Sequence, residues 1–347
     1  MCGRFVFTIE ADQIPQVFKD VHQIHNVVVV LPRHAYKSYN ISPTNYSPVL
    51  YKNYSKNESG DSKHKGEYIA RYMKFGLLPS WAKDQKKFSG YRTFNARKES
   101  LKPSSRLWGS YMKHQRCVIP VEGYYEWIHE KTPASKKAKK AQVNKRPYYI
   151  RKQEEGKVLF LAGLWSRSEL KEKIPSVDKV CGYEDKTSEP LTNEVCSFTI
   201  ITASAPKQLK WLHERMPIVL EPNSEAWNKW LDVDANESFT QPELEEILKH
   251  YDIEDLEWFE VSQEVNNTKN DGKQLIERIN SEGDKGTTKK KRKDDISLIL
   301  PTKKKMKVED DHATKQEEDE RATASKEETH SENEKITEEG GVKEEEK

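Results

Sequence analysis

The sequence predicts an α+β fold: one domain with a largely antiparallel, barrel-like β-sheet, helices at its periphery, and a disordered C-terminal tail. Three observations predict it. Short runs rich in β-branched and aromatic residues recur along residues 1–265, while segments with helical spacing are few and scattered. Turn formers such as Pro79, Pro120 and Gly123 separate those runs. Residues 283–347 hold 16 Lys and Arg and 19 Asp and Glu with almost no aromatic or long apolar stretch, so they cannot bury enough surface to offset the entropy of ordering.

Each element has its own warrant. Residues 3–9 alternate and are rich in Phe, Val and Thr, a strand beginning almost at the terminus. Ile14, Val17 and Phe18 share one helical face. A polar loop (YSKNESGDSKHKG, residues 54–66) precedes a strand at residues 68–78 and a Pro-Ser-Trp turn at residues 79–81. Helix signals return at residues 96–101 and 105–113. Residues 116–127 (RCVIPVEGYYEW) read as two short strands broken at Pro120 and Gly123. Further strands are predicted at residues 147–151, 158–164, 198–202 and 256–261, and helices at residues 204–212, 224–231 and 242–249. Two polar inserts interrupt the pattern: a cationic one at residues 131–146 and a second at residues 171–194. There is no internal repeat and no heptad run, which sets the domain at residues 1–282 and the tail at residues 283–347.

At 34% hydrophobic and 33% charged, the 347-residue chain is too polar to be packed uniformly. Residues 1–282 alone carry 43 Lys and Arg against 38 Asp and Glu, a mildly basic balance that permits an anionic partner without demanding one. The four cysteines, Cys2, Cys117, Cys181 and Cys196, show no C-x-x-C spacing. That argues against a zinc cluster or a disulfide framework and fits a reducing compartment; no metal or other cofactor is expected. The opening MCGRFVFTIE lacks a secretory pattern, and no run approaches the ~18 apolar residues of a membrane span. A soluble, intracellular monomer is expected, with no membrane partner. In the tail, KKKRK (residues 289–293) and KKKMK (residues 303–307) suit the acidic groove of a nuclear import receptor, or nucleic acid. They point to the nucleus, with the cytoplasm as a second location; the plain alternative is a solvated charge run.

Cys2 is the most informative single residue. Its small side chain permits removal of Met1, and the exposed cysteine then offers a 1,2-aminothiol. The amine can condense with an aldehyde to an imine, and the thiol can close that imine to a five-membered thiazolidine. An internal cysteine lacks the amine. An α-amine titrates near ~7.7–8, so a useful neutral fraction exists at pH 7. A cysteine at position 2 is weak evidence alone, and three other residues each read two ways. Asn95 opens Ala96-Arg97-Lys98-Glu99, so it suits a helix N-cap as well as a site. Glu126 lies among aromatics in Gly123-Tyr124-Tyr125-Glu126-Trp127, at a surface edge or held by a partner. His213 suits the C-terminal end of the preceding helix as well as proton transfer.

Taken together, Met1-Cys2-Gly3-Arg4-Phe5, Phe75-Gly76-Leu77-Leu78-Pro79-Ser80-Trp81, Asn95-Ala96-Arg97-Lys98-Glu99-Ser100, residues 116–127, Ala162-Gly163-Leu164-Trp165 and His213-Glu214-Arg215-Met216-Pro217 closely resemble the SOS response-associated peptidase (SRAP) family. The pieces occur in the family's order and are interrupted by the two inserts. Phe75 stands where the family usually has Trp, and the tail lies outside the resemblance. The polymerase-clamp peptide found at some members' C-termini is absent. The resemblance implies a barrel-like fold with a basic DNA groove and a catalytic set of Cys2, Asn95, Glu126 and His213. It implies covalent trapping of abasic sites in single-stranded DNA by the Cys2 aminothiol, which shields the strand from cleavage. Arg4, Arg97 and Arg215 adjoin the catalytic segments and are candidates for phosphate contact. Trp81 and Trp127 are candidates for base stacking, against a plain reading as core aromatics. The insert at residues 131–146 either lengthens the DNA footprint or is a solvated loop. Two other functions remain open: a thiol or N-terminal-nucleophile peptidase using the same four residues, and a non-covalent reader of modified bases in DNA.

Overall fold

A computed structural model describes residues 2–30, 37–53, 66–131, 143–174, 192–232, 239–249 and 251–279. The expectations for the tail and its basic clusters, for Cys181, for nearly all of the loop at residues 54–66 and for most of both inserts lie outside these residues.

The barrel comes from five strands. β11 (Thr192–Ser204) pairs antiparallel with β10 (Leu159–Ile174), which pairs with β7 (Arg116–Val121), then β4 (Tyr46–Lys52), then β5 (Tyr68–Phe75). A parallel contact from β5 back to β11, with Lys74 opposite Ser197 and Phe75 opposite Phe198, closes the ring. Aromatic packing holds that seam. Phe75 stacks on Phe198 with ring centres 5.1 Å apart, and meets the edges of Phe5 at 5.3 Å and Phe94 at 5.8 Å. Such pairs contribute about 0.5–1.5 kcal/mol each beyond the area they bury. The same rings tie the seam to the segments that begin at Cys2 and lead into Asn95.

A second, wholly antiparallel sheet runs β13 (Leu256–Glu260), β9 (Val143–Lys152), β8 (Gly123–Lys131), β1 (Phe5–Phe7), β3 (Ser38–Ile41). Strand alternation divides its side chains between two cores. Tyr124 joins the main core with Cys2, Phe5 and Phe7, whereas Val6 and Tyr125 face a smaller core with Tyr149, Phe259, Val265 and Leu275. Helices are peripheral: α1 (Ile14–His22), α2 (Gly109–His114), α3 (Glu225–Leu231), capped by Ser224, and α4 (Gln241–Ile247), with a full capping box from Thr240 and Glu243.

Several predicted elements are corrected. Residues 96–101 are not a helix. Asn95–Arg97 form β6, parallel to β11 with Asn95 opposite Ile200, followed by a single 3-10 turn at Lys98–Ser100. The exposed edge of β11 takes the backbone groups a helix would have used, and Asn95 is therefore no N-cap. Residues 206–212 are successive turns, with Leu209 N–H donating to Pro206 O and Leu212 N–H to Leu209 O, both at 3.0 Å. His213 thus follows no helix, and β12 (Arg215–Pro217) returns along β11. β7 runs through Pro120, which lies opposite Phe160; the break falls at Glu122, whose N–H donates to Val6 O at 2.9 Å. β10 and β11 extend into the ends of the predicted insert at residues 171–194. β2 (Val27–Val30), β3 and β4 were not anticipated.

Past β5 the chain leaves the barrel in a loop clasped at its neck. Gly76 (φ +108°) and Gly90 (φ +76°) lie so close that a Cβ on either would sit 2.7 or 2.8 Å from the other's carbonyl oxygen. Thr93 Oγ1 donates to Leu77 O at 2.6 Å across the same neck. Only glycine tolerates both the left-handed φ and that approach.

Candidate active site

Four chain segments converge on Cys2. Phe5 lies opposite Tyr124 and Val6 opposite Gly123, and Tyr125 N–H donates to Arg4 O at 2.9 Å. Carrying this antiparallel register back toward the terminus places residue 3 across from Glu126 and Cys2 across from Trp127. Cys2 is fully buried and Glu126 only 4% exposed. Asn95 reaches Cys2 from the barrel side: Nδ2 donates to the Cys2 carbonyl at 3.0 Å, to Phe94 O at 3.0 Å and to Ile200 O at 3.4 Å. With Nδ2 committed to carbonyls, Oδ1 is a buried acceptor with no hydrogen-bond partner among the described residues. β12 and the turns before it bring His213, whose Nδ1 lies 2.9 Å from Arg215 N and 3.1 Å from Arg215 O, so that it accepts or donates there according to its tautomer.

Electrostatics gathers these groups more tightly. Burial pushes the Glu126 carboxyl up to about 7, against the opposing pull of the charged amino terminus and the Trp127 N–H. Burial, followed by the Glu126 charge, drives the Cys2 thiol well above its ordinary value; the amino terminus and the N–H of Arg4 act the other way. Burial and then the amino terminus lower His213. Glu126, Cys2 and His213 all feel the charge of the amino terminus. Near pH 7 the set is a neutral thiol, a neutral imidazole and a carboxyl at the midpoint of its titration. Such a carboxyl can both give and take a proton.

The five candidate DNA residues do not share one environment. Arg97 is exposed on β6. Trp81 is 59% exposed at the tip of the glycine-necked loop, its ring edge-on to Phe88 at 4.8 Å. Arg215 reaches the rim but is paired with Glu99 by two bonds, at 2.9 and 3.2 Å, and with Thr202 Oγ1 at 3.3 Å. Trp127 faces the smaller core and donates from Nε1 to Asn266 Oδ1 at 2.7 Å. Arg4 is turned inward, with Nη1 donating to Asn40 Oδ1 at 2.6 Å and Val265 O at 2.7 Å. The geometry thus separates Trp81 and Arg97, open to a ligand, from Trp127 and Arg4, which are built into the protein.

Sequence reasoning passed over several neighbours. Phe88 (37% exposed) and Tyr91 (59%) join Trp81 on the loop; a run of aromatics in a Gly- and Lys-rich loop was the available signal. Asn40 and Val265 carried no signal, because their roles depend on contacts more than 200 residues apart in the chain. Among the described residues, no cluster of three or more His, Cys, Asp or Glu could hold a metal ion.

The model of the SOS response associated peptidase (SRAP) family matches residues 1–268. An abasic site processing protein of Saccharomyces cerevisiae is 34% identical over 304 residues, spanning 80% of this chain and 68% of the yeast protein. One from Bacillus subtilis is 30% identical over 283 residues, spanning 80% of this chain and 99% of its own length. Among solved structures, a Bacteroides thetaiotaomicron protein shares the fold with a TM-score of 0.53 at 19% identity, covering 80% of this chain and 99% of that one. The chain belongs to the SRAP family.

Proposed function

We propose that this protein traps abasic sites in single-stranded DNA as a covalent thiazolidine on Cys2 after Met1 is removed. The observation that carries the reading is a buried Cys2 held by Asn95 and acted on by the Glu126 charge, with His213 feeling the same terminal charge as both. Removing Met1 converts the Cys2 nitrogen from an amide to an amine. That amine adds to the C1′ aldehyde of the ring-opened sugar, and loss of water gives the imine. The thiol then adds to the same carbon, its proton passing to nitrogen, and the ring closes. His213 is suited to donate a proton to the sugar oxygen as the ring opens. Glu126 moves protons between amine, hydroxyl and thiol. Asn95 Oδ1 orients the amine or a sugar hydroxyl. Closure consumes the imine, whose persistence would favour β-elimination and strand cleavage. Arg97 and the aromatic loop are suited to hold phosphate and a stacked base.

The raised thiol favours this order over hydrolysis. A thiol peptidase needs a thiolate first, and burial beside a carboxylate works against one. The test is incubation of the pure protein with an oligonucleotide bearing one abasic site. A denaturation-resistant complex absent in Cys2→Ala, and absent when one residue is inserted before Cys2, is the expected result. Peptide turnover without a complex would overturn the reading in favour of hydrolysis. DNA affinity indifferent to the inserted residue, again with no complex, would favour a non-covalent reader.

A further inference from the structure

We infer that Arg4 is a positioning residue, a clamp that fixes the reactive terminus by locking it to the chain's far segment at residues 263–271. The inference rests on the reading above, and it gives Arg4 a task other than contact with phosphate.

The socket is complete on several sides. Asn40, 2% exposed, uses its amide Nδ2 to bind Asn267 O at 3.0 Å and Asn270 O at 2.8 Å, which turns its Oδ1 toward the Arg4 guanidinium. Val265, fully buried, presents its carbonyl to the same Nη1. The guanidinium carbon lies 5.7 Å from the centre of the Trp127 ring, within cation–π range, and that ring is itself fixed by Asn266. Tyr39 N–H binds Asp271 Oδ1 at 2.7 Å, so β3 and the far segment are joined independently of Arg4.

Arg4 carries that rigidity to Cys2 through its backbone. Its carbonyl accepts from Tyr125 N–H at 2.9 Å, which pins the backbone two residues from Cys2. Without such an anchor, residues two positions from a chain end fray. Here fraying would move both nucleophilic atoms away from Glu126 and Asn95. A misplacement of about 1 Å in a reacting pair costs on the order of a hundredfold in rate.

The experiment compares wild type, Arg4→Ala, Arg4→Lys and Asn40→Leu. The rate of adduct formation at saturating abasic DNA is expected to fall roughly tenfold to a hundredfold in Arg4→Ala and Asn40→Leu, with Arg4→Lys intermediate. Non-covalent DNA affinity, measured with each change combined with Cys2→Ala, is expected to stay within about twofold and to keep its salt dependence. Labelling of Cys2 by a maleimide, read on its own peptide by mass spectrometry, is expected to rise about tenfold or more, tracking the lost order. A weakened affinity with a shallower salt dependence would make Arg4 a phosphate contact and overturn the proposal. Unchanged labelling and unchanged adduct rate would overturn it too. Should Arg4→Ala unfold, Asn266→Ala, which loosens only the Trp127 wall, is expected to give a smaller change in the same direction; no change there would count against the clamp. If wild type itself formed no adduct, the trapping reading would fail, and the labelling result alone would then decide whether Arg4 clamps the terminus.

Discussion

Two buried groups should make this protein's response to pH misleadingly flat, and replacing either should uncover the other. Glu126, 4% exposed, is lifted by burial from 4.5 to about 7. His22, 7% exposed, is lowered by burial, and secondarily by Lys157 and Lys152, from 6.5 to about 4. Its Nε2 accepts from Val158 N–H at 3.2 Å, and Phe160 meets its ring edge-on at 5.0 Å. For Glu126 the folded state binds a proton more tightly than the unfolded state. Its contribution is therefore present at acid pH and disappears as pH rises from the ordinary 4.5 through about 7. For His22 the unfolded state binds the proton more tightly. Stability is therefore complete above 6.5 and is lost as pH falls through about 4. At about 1.36 kcal/mol per pH unit each group is worth at most roughly 3 kcal/mol, over nearly the same interval and with opposite sign. Urea denaturation at a series of pH values from 4.5 to 8 tests this on wild type, Glu126→Gln and His22→Gln. The gap between Glu126→Gln and wild type should shift by roughly 2–3 kcal/mol in favour of the mutant as pH rises. The gap for His22→Gln should shift by a similar amount in its favour as pH falls. Gaps that stay constant across the range would refute the assignment of these protons to these residues.

Two further predictions follow from burial and close approach. Trp81→Ala should weaken single-stranded DNA binding by about 1–3 kcal/mol in a fluorescence titration while leaving the unfolding midpoint unchanged, because the ring is mostly in solvent. Trp127→Ala should do the reverse, lowering the midpoint by removing the wall and hydrogen bond it supplies; equal effects on binding would contradict the division drawn between the two rings. Gly90→Ala should destabilise by about 1–3 kcal/mol, since its Cβ would meet Gly76 O at 2.8 Å in a left-handed backbone. Because Phe94 and Asn95 follow four and five residues on, adduct formation should slow as well; normal kinetics and stability would show that the neck relaxes freely.

How much of this was legible in the chain depends on the range of the interaction concerned. Residues 116–127 read correctly as two strands, although the break falls at Glu122 and not at Pro120, and the period of two explains why Tyr124 and Tyr125 fall in different cores. The four valines of β2 were a β-branched run open to the same reasoning and were passed over. Asn95 was harder. Locally, Ala96-Arg97-Lys98-Glu99 is a sound helix start, and nothing nearby shows that β11, a hundred residues on, offers a pairing edge. The same limit hides a difference between two arginines. Arg4 and Arg97 look alike in sequence, each beside a catalytic candidate, yet one is held by Asn40 and Val265 and the other is open to solvent.

That contrast bears on the chemistry itself. A reactive amine at the end of a chain is the least ordered place to put a nucleophile, and the proposed trapping needs nitrogen and sulfur to meet one carbon in succession. The fold binds its first residues to its middle and to its last segment. Arg4 O is paired to Tyr125, the Arg4 side chain to Val265, and Thr8 to Glu122 through both its backbone N–H and its hydroxyl. Glu122 opens the same Glu-Gly-Tyr-Tyr-Glu-Trp stretch that ends with Glu126 and Trp127. That short stretch therefore sets the register of Cys2, supplies the carboxyl that the proposed reaction uses to move protons, and forms one wall of the arginine's socket. Closely spaced residues of this kind are readable in sequence, whereas Asn40 and Val265, which complete the socket, become visible only once the chain has folded.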